Sequence, residues 1–209
     1  MGDLPRDVFT EPVPDPNTLE QLGPLRALAG TWLGERGIDT HPSANGPEDN
    51  VYVERIELQP MDAQTNGPQL FYGLRYHVHI TKPGEVQTFH DQVGYWLWEP
   101  ATGMILMTLA IPRGQVAMAQ GKASPDDLSF TVEAVRGSLT NGIISNAFLE
   151  YGFRTERFAM TVTTHTDGTW SYKQDTLLKV LGQDQPFHHT DRNILTRIGP
   201  PAPNPTSVG

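Results

Sequence analysis

Across residues 70–80 the chain alternates, with only Phe71 and Gly73 departing from the polar parity. Leu70, Tyr72, Leu74, Tyr76, Val78 and Ile80 share one parity, while Arg75, His77 and His79 take the other. A period of two over a full strand length specifies a sheet with one buried and one wet face. Trp170–Val180 repeats the pattern, setting Trp170, Tyr172, Leu178 and Val180 against Lys173, Asp175 and Lys179. Turn signals separate such segments, among them Asn66-Gly67-Pro68, Lys82-Pro83-Gly84, Pro112-Arg113-Gly114, Asn141-Gly142 and Asp167-Gly168. Short strands joined by tight turns read as an antiparallel meander. About ten of them suffice to close the sheet on itself, which removes both exposed edges. The expected fold is all-β: a single antiparallel up-and-down β-barrel of about ten strands, with a cavity inside.

The ends of the chain behave differently. Residues 1–17 are rich in proline and acid and have no periodicity, so they read as an extended arm. Leu19, Leu22, Leu25 and Leu28 recur at threes, but Gly23-Pro24 interrupts them, which favours two short turns plugging one barrel end. The tail from Gly199 is too proline-rich to join a sheet. The expected organisation is an arm and the start of the plug over 1–23, one barrel domain over 24–198, and a Pro-rich tail over 199–209.

Composition narrows the function. The 209 residues contain no cysteine, which removes disulfides, thiolate metal sites and a cysteine nucleophile together. The net charge is -9 and no cluster of Lys and Arg stands anywhere, so a nucleic-acid partner is not expected. No apolar run approaches the roughly 18 residues of a membrane span, and the start lacks the apolar stretch of a signal peptide. A cytoplasmic protein without a membrane partner is the expectation; a homodimer is compatible with the same features.

Chemistry has few candidates. Tyr95-Trp96-Leu97-Trp98 places Trp96 and Trp98 on one strand face, where large aromatics are core or barrel wall, with Gly94 before them suggesting a bend or bulge. His77 and His79 fall on a polar face; His41, beside Pro42, and His165, near a turn, read as solvated loop residues. His90 shares parity with Val86 and Thr88 and is a candidate polar group inside the cavity. His188 and His189 open the last strand after Gln185-Pro186-Phe187, and adjacent strand residues face opposite ways, so only one of them looks inward. That geometry disfavours a two-histidine zinc site but allows one imidazole as an axial haem ligand. No hydrolase elbow, phosphate loop or dinucleotide fingerprint is present. From these residues alone the chain is a barrel that binds something apolar.

Pro24-Leu25-x-x-Leu28-x-Gly30-Thr31-Trp32-x-Gly34 resembles the opening of the nitrobindin family, lipocalin-like and fatty-acid-binding-protein-like barrels that bind haem b. The resemblance continues in order through residues 52–58, Phe89-His90-x-x-x-Gly94-Tyr95, Gly114-Gln115-Val116, Asp167-Gly168-x-x-Ser171-Tyr172 and Asn193-Ile194-Leu195-x-Arg197-Ile198, covering roughly residues 24–198. Gly34 and Gly37 stand three apart where the family commonly has Gly-x-Gly, and the loops around 42–49 and 60–68 look longer than usual.

The resemblance implies haem b, an axial histidine near the start of the last strand, and a haem-dependent peroxynitrite isomerase that handles nitric oxide. An ungapped register from Pro186 to Ile194-Leu195 puts Thr190 in the axial slot. A one-residue bulge brings in His189, and a two-residue slide brings in His188. The expected iron ligand is thus His189 or His188, with His90 and Thr190 contacting the cofactor. The alternatives are a haem-free barrel for a fatty acid or other apolar small molecule, and an enzyme using His90 as acid or base. Trp32 is expected to be structural, packed at the closed end.

Overall fold

A computed structural model describes residues 6–203; residues 1–5 of the expected arm and 204–209 of the expected tail lie outside the described residues. Among the described residues eleven strands follow a 3-10 helix, Gly23–Leu28: β1 (Gly30–Ser43), β2 (Gly46–Asn66), β3 (Gln69–Thr81), β4 (Thr88–Glu99), β5 (Met104–Ile111), β6 (Gln115–Lys122), β7 (Ser129–Val135), β8 (Ile143–Ser145), β9 (Phe153–Thr164), β10 (Trp170–Val180) and β11 (Phe187–Gly199). One short α-helix, α1 (Ala147–Gly152), links β8 to β9. All pairings are antiparallel; β1 pairs with β11 and β5 with β6, which closes the barrel. The three-residue β8 pairs with one end of β6 beside β7, leaving a ring of about ten full strands.

The plug forms where the leucines require it. Gly23 adopts φ 53, which a side chain would strain, and Pro24 starts the 3-10 turn. Leu22, Leu25 and Leu28 are then fully buried against the barrel end. Trp32 sits beneath them with no exposure; its Nε1 donates to the Leu28 carbonyl at 2.7 Å, and the Arg197 guanidinium lies 4.3 Å from its ring centroid. Trp170 meets Trp32 edge-on at 6.1 Å. This end is closed by packing.

Several local expectations change. The supposed long loops are strand: β1 and β2 stay paired to Ser43↔Gly46, and β2 runs to Asn66↔Gln69. Pro42 and Pro47 face each other in the first extension, beyond the last β1–β11 partner at Thr40↔Thr190. A missing N–H there leaves no ladder bond unmade on the other side. Gly94 marks no bulge, since its register is continuous with Tyr76 and Leu109; a side chain there would strike the Thr108 carbonyl. The glycine serves close strand approach. Among the described residues no helix is long and apolar enough to cross a membrane.

Candidate functional site: an asymmetric cavity in the barrel

The end opposite the plug holds a cavity of about 500 Å³, within the range of small-molecule sites. Its two sides differ. Strands β3 to β9 supply mainly apolar side chains, such as Val78, Ile80, Leu109, Phe158 and Met160. Strands β1, β2, β10 and β11 supply a polar wall: Asp39, Tyr52, Glu54, Tyr172, His189 and Asp191.

Near the mouth, Asp39 is the hub. Its Oδ1 lies 2.7 Å from His189 Nε2, and its Oδ2 lies 2.8 Å from His41 Nδ1. Burial pushes Asp39 up, but hydrogen bonds and charge from the two imidazoles outweigh it and hold the carboxyl below its usual range. Burial pushes His189 down; the Asp39 hydrogen bond and the charges of Asp191 and Asp39 reverse this and raise it. Asp191, 3.7 Å from His189 Nε2 and accepting from Gln174 Nε2 at 2.9 Å, is pushed up to about 6, chiefly by burial. The ligand atoms of Asp39, His189 and Asp191 lie within 4.8 Å of one another, close enough for one cation to reach all three.

Deeper in, Glu54 is 2% exposed. Its Oε2 accepts from Tyr172 Oη and from Asn193 Nδ2, both at 2.9 Å. Tyr52 Oη stands 2.7 Å from Tyr172 Oη, extending the chain of hydroxyls. Burial raises Glu54 to about 7, against the opposing pull of its two donors. The β1 backbone makes room for this group. A bulge between Gly34 and Gly37 keeps both glycines facing the interior while Glu35 and Arg36 point out. A Cβ at Gly34 would overlap the Asn193 side chain, and one at Gly37 the Tyr52 ring. The unusual glycine spacing is what admits the two side chains.

Across the cavity, β4 presents His90 and Gln92. Burial keeps His90 below the ordinary histidine range. Gln92 donates to Tyr76 Oη at 2.7 Å, and that hydroxyl donates to the Thr108 carbonyl at 2.9 Å. Arg113, in the β5–β6 turn, donates to the Phe89 carbonyl at 2.9 Å at the mouth. Phe148 and Leu149 of α1 also line the cavity; Asn146 caps that helix by accepting from the N–H groups of Phe148 and Leu149.

The sequence candidates therefore separate. His189 and His90 line the cavity from β11 and β4. His188 faces outward, its side chain 65% exposed and its Nδ1 2.9 Å from Asp175. Thr190 is exposed on the same outer face. His41 is not a loop residue; it ends the inward row of β1 at the mouth, because the β1–β2 hairpin is longer than its prolines suggest. His77, His79 and His165 lie outside the cavity, bonded to Asp91, Thr88 and Ser171. Sequence reasoning missed Asp39, Glu54, Tyr172 and Asp191. Glu54 had a signal, since it shares parity with Tyr52, Ile56 and Leu58.

No curated protein matches the chain. The solved structure of Rv2717c from M. tuberculosis is similar over 86% of this chain and 96% of that one, with a TM-score of 0.57 and 21% identity. That likeness concerns the fold. Residues 21–197 match the family described as the THAP4-like, heme-binding beta-barrel domain. With most of its length covered, and with a closed barrel around a ligand-sized cavity, the chain belongs to that family.

Proposed function

We propose that the cavity binds haem b with His189 as the axial ligand. The observation that carries this reading is an imidazole inside the barrel mouth, one nitrogen of which is held by a buried carboxylate. Metal-ligating histidines characteristically donate their second N–H in this way, which fixes tautomer and ring orientation. Asp39 holds the Nε2 proton, leaving Nδ1 as the donor nitrogen. His90 and Arg113 offer polar contacts from the other side, and the apolar faces of β3 to β9 exclude water from the ring. His188 and Thr190 face outward and take no part. Haem b bound there would supply the iron chemistry for meeting nitric oxide and isomerising peroxynitrite to nitrate, with His189 and the cavity wall holding it.

Adding hemin to the full chain should give a sharp Soret band that saturates at one equivalent. His188→Ala should retain it and His189→Ala should lose it. Equal binding by both variants would defeat the assignment. Peroxynitrite mixed with the hemin-loaded protein should yield excess nitrate over hemin alone; an equal yield would remove the isomerase reading and leave haem binding.

A second reading, a haem-free barrel for a small apolar molecule, draws on the same apolar wall.

A further inference from the structure

Glu54 has no use in haem ligation, yet it is the most deeply buried acid on the cavity wall. Both hydrogen bonds it accepts fall on Oε2; Oε1 accepts none from the described residues. The residues directly opposite Glu54 carry no charge, since the register sets Gly34 of β1 and Ile80 of β3 there, and His41 of β1 is taken by Asp39. The guanidinium lining the cavity, that of Arg113, is held at the mouth by Phe89. A glutamine would accept from Tyr172 and Asn193 equally well, so the packing does not explain an acid. Its surroundings are aromatic: Tyr172 donates to it, and Tyr52 and Trp170 adjoin Tyr172 on the same wall. A carboxyl oxygen without a donor, among ring faces and apolar side chains, is suited to a cation with an apolar body.

We propose that the inner part of the cavity is a recognition site for an aliphatic amine, its ammonium group donating to Glu54 Oε1 among the rings of Tyr52, Tyr172 and Trp170. This does not rest on haem binding. The titratable groups facing Glu54 are Tyr172 and Asp191, with Tyr52 behind the former. Both tyrosines are pushed up by burial and stay neutral. Amine affinity should therefore rise with pH as Glu54, raised to about 7, ionises.

The test compares octylamine, octanol and octanoate on the full chain at about pH 8, where Glu54 is ionised, read by tryptophan fluorescence from Trp96 and Trp170. Octylamine should bind roughly ten-fold tighter than octanol, and octanoate weakest. Glu54→Gln keeps both accepted hydrogen bonds and should retain octanol affinity while losing the preference for the amine. Equal binding of amine and alcohol, tighter binding of octanoate, a preference that survives Glu54→Gln, or no binding by any of the three would overturn the proposal. Because no hemin is added, failure here leaves the His189 assignment standing, and failure of the hemin titration leaves this site standing.

Discussion

Burying Glu54 without a cation has a pH signature. Its folded pKa is near 7 against an ordinary 4.5, so between those values the native state binds more protons than the unfolded chain. Stability from this group is fully present at low pH and falls as pH rises through that window. Asp191, raised to about 6 from 3.8, adds the same sign over a lower window. Glu54→Gln removes the first contribution. Chemical denaturation should find the variant's stability relative to wild type improved by about 2 kcal/mol between roughly pH 5 and pH 8. A pH-independent difference would show that Glu54 does not titrate in the fold. His189 has the opposite bearing on hemin: raised by its carboxylates, it must release a proton to bind iron. Hemin affinity should increase with pH until His189 is neutral, and a flat profile would contradict this. Trp32, fully buried and bonded to Leu28, should cost about 3–5 kcal/mol on truncation to Ala, read as a lowered unfolding midpoint.

At the scale of elements, the β1 bulge and α1 shape the cavity. Gly37→Ala places a methyl against the Tyr52 ring, and overpacking of this kind costs about 1–3 kcal/mol. It should also shift Tyr52 away from Tyr172, so its unfolding midpoint should fall further than that of Gly152→Ala, where an added Cβ meets only ordinary contact with Phe148 at 3.8 Å. Asn146 caps α1 and also donates from Nδ2 to the Arg113 carbonyl at 2.6 Å, tying the helix to the β5–β6 turn. Asn146→Ala should cost about 1 kcal/mol and speed amide exchange in α1. The strands were legible because period two survives through residues 74–80 of β3 and at both ends of β10. The helix was not, since six residues hold too few turns for a periodic signal. The β1–β2 hairpin was misread as loop because prolines usually mark breaks, and here they occupy edge positions. Parity held the signal for Glu54, which went unread, and it narrowed the inward imidazole of the last strand to His188 or His189 without choosing between them. It could not show that Asp39 meets His189 across 150 residues of sequence, because that contact exists only once β1 and β11 close the barrel.

The whole molecule is a barrel closed at one end by leucines and tryptophan and open at the other to a cavity with one acidic and one apolar side. Closure brings the first strand against the last, and the mouth cluster of Asp39, His189 and Asp191 sits on that seam. Ligand chemistry is thereby linked to completion of the fold: a molecule bound at the seam stabilises the closed barrel by mass action. Hemin should raise the unfolding temperature of wild type and leave His189→Ala unmoved. The most direct measurement is a hemin titration of His189→Gly with and without free imidazole. The Soret band should be lost in the variant and restored when imidazole occupies the vacated position. A band that persists in His189→Gly, or that imidazole fails to restore in a folded variant, would contradict His189 as the axial ligand.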